Sequence, residues 1–148
     1  MSRPELSAAQ RATLGAAMER ILPGGDGPGA TDANALGYAD WLTRQPRFAP
    51  AARTLATGLA LLDSMAAATA GAPFAACPPA EQDEVLRRVQ MTPHPTVQRF
   101  FVMLVRMTLD GFLGAPAYGG NRGGSGWSYI GFAPHPFTAA AGPDREAA

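Results

Sequence analysis

The most restrictive feature of the sequence is an apolar stripe that runs through residues 97–112. Side chains along it recur at intervals of three or four positions, which places them on one face of an α-helix. The stripe comprises Val97, Phe100, Phe101, Leu104, Val105, Thr108 and Phe112. Thr96 stands where a helix N-cap is preferred. We therefore predict a helix that is capped by Thr96 and lies at the centre of the core.

Four earlier segments show the same helical spacing between turn-forming residues. Ser7 and Gln10 form a capping box for the first helix. Thr31 is placed to cap the second, and the third runs from near Pro50 to Gly71. No window of four to eight residues alternates between apolar and polar side chains, so no sheet is expected. The sequence predicts an all-α fold, a single small bundle of about five helices.

We expect all 148 residues to belong to one helical domain. Its helical core spans about residues 6–114, a glycine-rich segment spans 115–132, and an extended tail spans 133–148. A chain of this length buries one hydrophobic core rather than two. The tail is rich in proline and alanine, and we expect it to be poorly ordered unless a partner binds it.

Charge and hydropathy exclude two classes of partner. Twelve arginines balance twelve acidic residues, so the formal net charge is zero and no basic block is available for nucleic acid. The most apolar stretches are interrupted by Asp63 and Arg106, which leaves each shorter than the roughly 20 residues needed to span a membrane. We therefore expect neither nucleic-acid binding nor membrane insertion. The low charged fraction, 16%, favours a surface that rests against a partner protein.

Residues that carry out catalysis or bind metals are scarce. Cys77 is the only cysteine, which excludes an internal disulfide, a CxxCH haem site and a self-contained cysteine-ligated iron–sulfur cluster. His94 and His135 are the only histidines, and a zinc site needs more ligands at useful spacing. We predict no catalytic, cofactor-binding or metal-binding residue in this chain. Cys77 is expected to be buried and inert, with a covalent tie to another chain as the alternative.

The stretch YGGNRGGSGWSYIGF, residues 118–132, contains six glycines. Glycine loses more conformational freedom on ordering than any other residue, so something must hold this segment if it is ordered. The stretch lacks the lysine of a phosphate-binding loop, and it follows a predicted helix where a dinucleotide fingerprint follows a strand. Trp127 stands where a nucleophile elbow needs glycine. None of these three motifs fits the stretch.

We predict that this segment instead forms an interface with a partner protein. A glycine-rich backbone can approach another surface closely, and aromatic residues and arginine are enriched among interface anchors. The predicted interface residues are Tyr118, Gly119, Gly120, Asn121, Arg122, Trp127, Tyr129, Ile130 and Phe132. In one alternative, Trp127, Ile130 and Phe132 fold back on the chain's own core. In another, the space beneath the segment is the pocket of a free-standing helical ligand-binding module.

The motif PAYGGNRGGSGWSYIGF resembles the signature of the gluconate 2-dehydrogenase subunit 3 family, the small (gamma) subunits of bacterial FAD-dependent sugar dehydrogenases. That family typically shows YGGN, a short spacer, then GW and IGF. The motif follows a helix that ends in a GFxG-like turn, here GFLG at residues 111–114. The opening, which includes ERILP before a glycine and acid turn, is similar to the start of family members. The resemblance covers roughly residues 6–132.

This resemblance implies a helical subunit without its own cofactor. Members of the family bind a large flavoprotein of the glucose–methanol–choline oxidoreductase class and help it to fold and acquire its FAD. The resemblance implies that this large subunit oxidises a hydroxyl on a sugar, sugar acid or glycoside, as in glucoside 3-dehydrogenases. It also implies an iron–sulfur cluster or haem in partner subunits, including a cytochrome c subunit, as the electron acceptor.

Localisation follows less directly from the resemblance. Many relatives carry a twin-arginine signal that exports both chains together, so the resemblance implies a periplasmic location. The N-terminus, MSRPELSAAQ, has neither an apolar signal core nor a twin-arginine pair. A cytoplasmic location therefore stays open.

Overall fold

The structure is a computed structural model that describes residues 5–133. These residues form six α-helices joined by loops and short 3-10 turns, and they contain no strand. The helices are α1 (Ala8–Ile21), α2 (Ala35–Thr43), α3 (Ala52–Ala70), α4 (Pro79–Met91), α5 (Pro95–Leu113) and α6 (Ser125–Ile130). The predicted all-α bundle is confirmed. The sixth helix lies in the glycine-rich segment, where the sequence predicted a loop. The predicted tail, apart from Ala133, lies outside the described residues.

Helix α5 lies at the centre of the bundle, as predicted, and contacts α1, α2, α3 and α4. Its buried face holds Phe100, Leu104, Met107, Thr108 and Phe112. The predicted stripe also included Val97, Phe101 and Val105, which are only partly buried. The buried face of α5 is therefore rotated slightly from the stripe that the sequence predicted.

The start of α5 differs from the prediction by two residues. The N-cap is His94, whose Nδ1 accepts a hydrogen bond from the backbone N–H of Thr96 at 3.3 Å. The prediction that Thr96 caps this helix was wrong. Pro95 occupies the first turn, where its fixed φ suits a helix, and it keeps the preceding residue extended. That extended residue is His94, which caps α5.

Helix α1 begins as predicted, but α2 does not. Ser7 and Gln10 form both hydrogen bonds of the capping box. The prediction that Thr31 caps α2 was wrong, because α2 begins only after Asn34. Asn34 has a left-handed backbone with φ of 55°, and its side-chain amide donates to the carbonyl of Gly119 at 3.0 Å. A contact with the distant C-terminal segment therefore marks the start of α2.

Helices α3 and α4 complete the core. Leu55, Leu59 and Leu62 are at most 1% exposed, and Gly71 ends α3 with the left-handed backbone expected at that position. Cys77, in the turn before α4, is buried, as expected. The five-helix core thus forms a continuous support on which the C-terminal segment rests.

Candidate functional site

The glycine-rich segment lies across the ends of α2 and α5 and is attached to both by its backbone. The N–H of Asn121 donates to the carbonyl of Gly111 in α5 at 2.6 Å. The N–H of Arg122 donates to the carbonyl of Ala33, just before α2, at 2.9 Å. These bonds join the segment to parts of the chain that lie far from one another in sequence. Contacts within this chain therefore order much of the glycine-rich segment.

Asn121 is the central anchor of the segment and is completely buried. Its Nδ2 donates to the carbonyl of Gly114 at 2.8 Å. Its Oδ1 accepts from the backbone N–H of Gly126 at 2.8 Å and from that of Trp127 at 3.4 Å. Those two N–H groups belong to the first turn of α6, where backbone donors have no partner within the helix. Asn121 thus caps α6 from outside the helix, in a left-handed conformation that asparagine tolerates.

Two glycines of the segment allow the backbone to come unusually close to α5. A Cβ added at Gly120 would overlap the carbonyl of Gly111, and one added at Gly126 would overlap the carbonyl of Phe112. Gly120 and Asn121 are buried, so their predicted role in direct contact with a partner is not supported by their position. Gly119, with φ of 99°, lies against Gly37 of α2. The three glycines, Gly119, Gly120 and Gly126, thus allow the segment to pack directly against the bundle.

Trp127 is divided between the core and the surface. Its indole Nε1 donates to the carbonyl of Leu113 at 2.6 Å, and its ring meets that of Phe132 edge-on at a centroid distance of 5.4 Å. The indole is partly buried. The alternative that it folds back on the chain's own structure therefore holds in part for Trp127, which fixes the position of Phe132.

The remaining apolar residues of the segment are exposed. Tyr129 is 64% exposed, Ile130 56% and Phe132 48%. The alternative that Ile130 and Phe132 fold into the core is not what the structure shows. We call Trp127, Tyr129, Ile130 and Phe132 together the α6 patch. Arg122 is also exposed and lies at the turn before α6.

These positions can be compared with known families. The sequence profile of a family described as gluconate 2-dehydrogenase subunit 3 matches residues 8–134. The chain belongs to the gluconate 2-dehydrogenase subunit 3 family. Comparison with curated proteins and with solved structures gave no match. The family's description names a subunit of a dehydrogenase complex, which implies partner subunits. The matched range includes the whole α6 patch.

The chain also has an aromatic cluster at the start of the glycine-rich segment, and the sequence analysis did not predict this cluster. The ring of Tyr118 lies 4.6 Å from that of Trp41, which lies 5.8 Å from that of Tyr38. The guanidinium of Arg47 stands over the Trp41 ring at 5.4 Å. Tyr118 is the only member of this cluster that the sequence placed in a site. The spacing of Tyr38 and Trp41, three residues apart in α2, was a usable signal of a shared face.

The aromatic cluster lines a cleft of about 340 Å³ between α2 and the end of α5. A second cleft, of about 530 Å³, continues along α5 and shares Tyr38, Arg47 and Asp110 with the first. Burial raises the pKa of the Tyr38 phenol, and the nearby Asp110 carboxylate raises it further. Arg47 and Arg106 lower that pKa, so both charge signs act on this phenol.

Within residues 5–133, no cluster of three or more histidine, cysteine or acidic side chains is arranged to hold a metal ion. His94 caps α5, and His135 lies outside the described residues. None of the helices in that range has the length and apolar character to cross a membrane.

Proposed function

We propose that this chain is the small subunit that binds the large FAD-dependent subunit of a sugar or glycoside dehydrogenase, stabilises it and assists its maturation. In this proposal the large subunit is a flavoprotein of the glucose–methanol–choline oxidoreductase class and holds the FAD. The small subunit contributes no catalytic group. Membership of a family described as subunit 3 of a dehydrogenase supports the proposal.

The observation that carries the proposal is the exposure of the α6 patch. Exposed apolar side chains that lie close together on a small protein are typical of an interface rather than of free surface. Their position is fixed, because the bond from the Gly126 N–H to the Asn121 side chain and the Trp127–Leu113 bond hold α6 in place. A surface that is already ordered loses less conformational entropy when it binds.

Binding of this kind gives a physical route to maturation. A protein that binds the native form of its partner but not the unfolded form shifts the partner's folding equilibrium towards the native state. The effect grows with the concentration of the small subunit relative to the dissociation constant. The small subunit can thus stabilise the large one without contacting its substrate.

The aromatic cleft supports a second candidate, a free-standing helical ligand-binding module. Its volume of about 340 Å³ falls at the small end of the range for ligand pockets, and Tyr38, Trp41 and Tyr118 supply an aromatic lining. The cleft lies beside the start of the glycine-rich segment, which contributes Ala115 and Tyr118 to its lining, rather than beneath residues 120–126. Direct backbone contacts of Gly120 and Gly126 with α5 occupy that space.

We further propose that the complex works in the periplasm and passes electrons to a haem or an iron–sulfur cluster of a third component, such as a cytochrome c subunit. Both points follow from the family resemblance. Cell fractionation that finds the complex in the cytoplasm would refute the periplasmic location. If the purified two-subunit complex reduces neither a haem nor an iron–sulfur acceptor, the proposed electron transfer would be refuted.

Maturation is tested by producing the large flavoprotein subunit of the same organism with and without this chain. The proposal expects more soluble large subunit, more bound FAD per protein and more dye-linked sugar oxidation when both are present. Equal yield and equal FAD content in both preparations would contradict a role in maturation. If the chain is instead a free-standing ligand-binding module, the yield and FAD content should also be equal, and the small chain should be a monomer.

A further inference from the structure

The two clefts form one continuous groove on the outside of α5, which we call the α5 groove. One wall is α2 with the turn Pro46–Ala51, and the other is α5 from Arg99 onwards. Three of the exposed large apolar side chains line it: Val102 at one end, with Leu109 and Leu113 at the other. Eleven positions of helix, about 16 Å at 1.5 Å per residue, separate the first from the last.

The groove runs into the α6 patch. The carbonyl of Leu113, whose side chain lines the groove, accepts the hydrogen bond of the Trp127 indole. The α5 groove and the α6 patch therefore adjoin at Leu113 and Trp127. The distance from Val102 to Leu113 suits a partner segment of about three helical turns, or a shorter extended one.

The charge along the groove is one-sided although the chain as a whole is neutral. Arg47, Arg99 and Arg106 line it, and Asp110 is the one acidic residue among its lining side chains. None of these three arginines forms an ion pair within residues 5–133, whereas Arg11, Arg20, Arg87 and Arg88 all do. Arg47 stands over Trp41, and Arg99 donates to the Thr96 hydroxyl. Neither pairs with a carboxylate among the described residues, so an acidic partner can pair with the charge of these groups.

This charge pattern also selects among occupants. A second copy of the chain, docked by a two-fold axis, would place the same patch against itself. Such an interface would bring six arginines together with only two aspartates, and this excess of like charge disfavours it. An apolar segment that carries carboxylates satisfies both the exposed side chains and the arginines.

We infer that the α5 groove is a docking site for an apolar, acidic segment of the large subunit, separate from the contacts of the α6 patch. This inference rests on the proposed function, because it assumes that a large subunit binds. Val102 and Leu109 supply the apolar contact, and Arg99 and Arg106 select the acidic side chains. Contact at both the groove and the patch fixes the orientation of the two subunits.

The test uses the complex of this chain with the large flavoprotein subunit of the same organism, produced together and diluted to measure its dissociation constant. The variants are Arg106→Glu and Val102→Ser, with Arg99→Glu as a second charge reversal. Arg53→Glu, at an exposed arginine outside the groove, is the control for Arg106→Glu. Met91→Ser, at a side chain that is 74% exposed at the end of α4, is the control for Val102→Ser. Thermal melting of each free chain checks that it folds.

We expect Arg106→Glu and Val102→Ser each to raise the dissociation constant roughly ten-fold, and the controls to change it less than about two-fold. Added salt should weaken the wild-type complex more than the Arg106→Glu complex, because screening acts on the charge pair that the variant has removed. Groove variants that bind like the controls would overturn the inference while leaving the proposed function intact. Absence of a wild-type complex would overturn both.

Other occupants give different results. A dimer of the isolated chain that Arg106→Glu breaks would assign the groove to a second copy and overturn the inference. A chain ended at Ala133 should bind the large subunit and remain sensitive to Arg106→Glu. Loss of that sensitivity would assign the groove to the chain's own C-terminal residues and would also overturn the inference.

Discussion

The side-chain oxygen of Asn121 lies 2.8 Å from the backbone nitrogen of Gly126 and accepts its hydrogen bond. This one contact joins the YGG turn to the first turn of α6. The same side chain donates to the carbonyl of Gly114 at the end of α5. Asn121 therefore connects α5 and α6, and the position of the α6 patch depends on it.

Replacement of Asn121 by alanine should lower the stability of the free chain. The change leaves the buried N–H of Gly126 without its partner, together with the partly buried carbonyl of Gly114 and N–H of Trp127, and each such polar group left unpaired is costly. We expect the free energy of unfolding to fall by about 3 kcal/mol, measured by urea denaturation.

Asn34→Ala is the matched control for that change. Asn34 shares the left-handed backbone of Asn121 but makes one side-chain bond, to the carbonyl of Gly119, at a partly exposed site. It should lose about 1 kcal/mol. Equal losses at the two positions would show that backbone strain, rather than the buried hydrogen bonds, governs the stability of the segment.

Gly126→Ala should destabilise the segment by a different mechanism. The new Cβ would overlap the carbonyl oxygen of Phe112, a backbone atom that cannot move aside without displacing α5. We expect a loss of about 3 kcal/mol of unfolding free energy. Gly25→Ala is the control, since a Cβ there meets nothing within 4 Å and should change stability by less than about 0.5 kcal/mol. A stable Gly126→Ala variant would refute the close packing of α6 on α5.

The local part of this structure was accessible from the sequence, because its causes are local. The capping box of Ser7 and Gln10 and the glycine that ends α3 depend on neighbours within five residues, and both occur as predicted. Helical periodicity predicted four of the buried residues of α5, although the rest of the predicted stripe is only partly buried. The starts of α2 and α5 were placed wrongly, because Asn34 bonds across 85 residues and because Pro95 moved the cap to His94.

The candidate site was only partly predictable for the same reason. Helix α6 contains a glycine, a poor helix former, and its first turn is capped by Asn121, which lies outside the helix. No local pattern reveals such a cap. The exposed aromatics were visible as a group in the sequence, but the split between buried Gly120 and Asn121 and exposed Ile130 is set by packing. The aromatic cluster was missed because Trp41 and Tyr118 meet only in the fold.

The ion pair between Arg20 of α1 and Asp83 of α4 should make stability depend on pH. The hydrogen-bonded Arg20 guanidinium holds the pKa of the Asp83 carboxyl below its ordinary value of 3.8. A carboxyl with a lowered folded-state pKa stabilises the native state above its ordinary pKa, and this contribution is lost as the pH falls through the folded-state pKa.

Urea denaturation between about pH 7 and pH 2 should therefore show a steeper loss of stability for the wild type than for Asp83→Asn. The unfolding free energies of the wild type and of Asp83→Asn should converge at the acid end of this range. Asp26→Asn, in the exposed loop after α1, serves as the control for removal of a surface carboxylate. An Asp83→Asn profile parallel to the wild type would show that the pair contributes nothing measurable, as is common for partly exposed pairs.

Cys77 should behave as a packing residue. It is 7% exposed, and its Sγ lies 3.4 Å from the carbonyl oxygen of Pro73. A thiol reagent should therefore label the folded chain far more slowly than the chain in urea. Non-reducing electrophoresis of the co-purified complex should give two separate bands. A band at the summed mass that splits on reduction would instead establish the covalent tie and an oxidising compartment.

Binding of the large subunit by the α6 patch is tested most directly by co-purification of α6 variants with the large flavoprotein subunit. Ile130 is 56% exposed, so Ile130→Ser should leave the melting temperature of the free chain unchanged and weaken the complex about ten-fold. Trp127→Ala should reduce both, because its indole bonds to Leu113 and supports Phe132. If Ile130→Ser co-purifies with the large subunit as well as the wild type, and Trp127→Ala loses stability alone, the patch is not the interface.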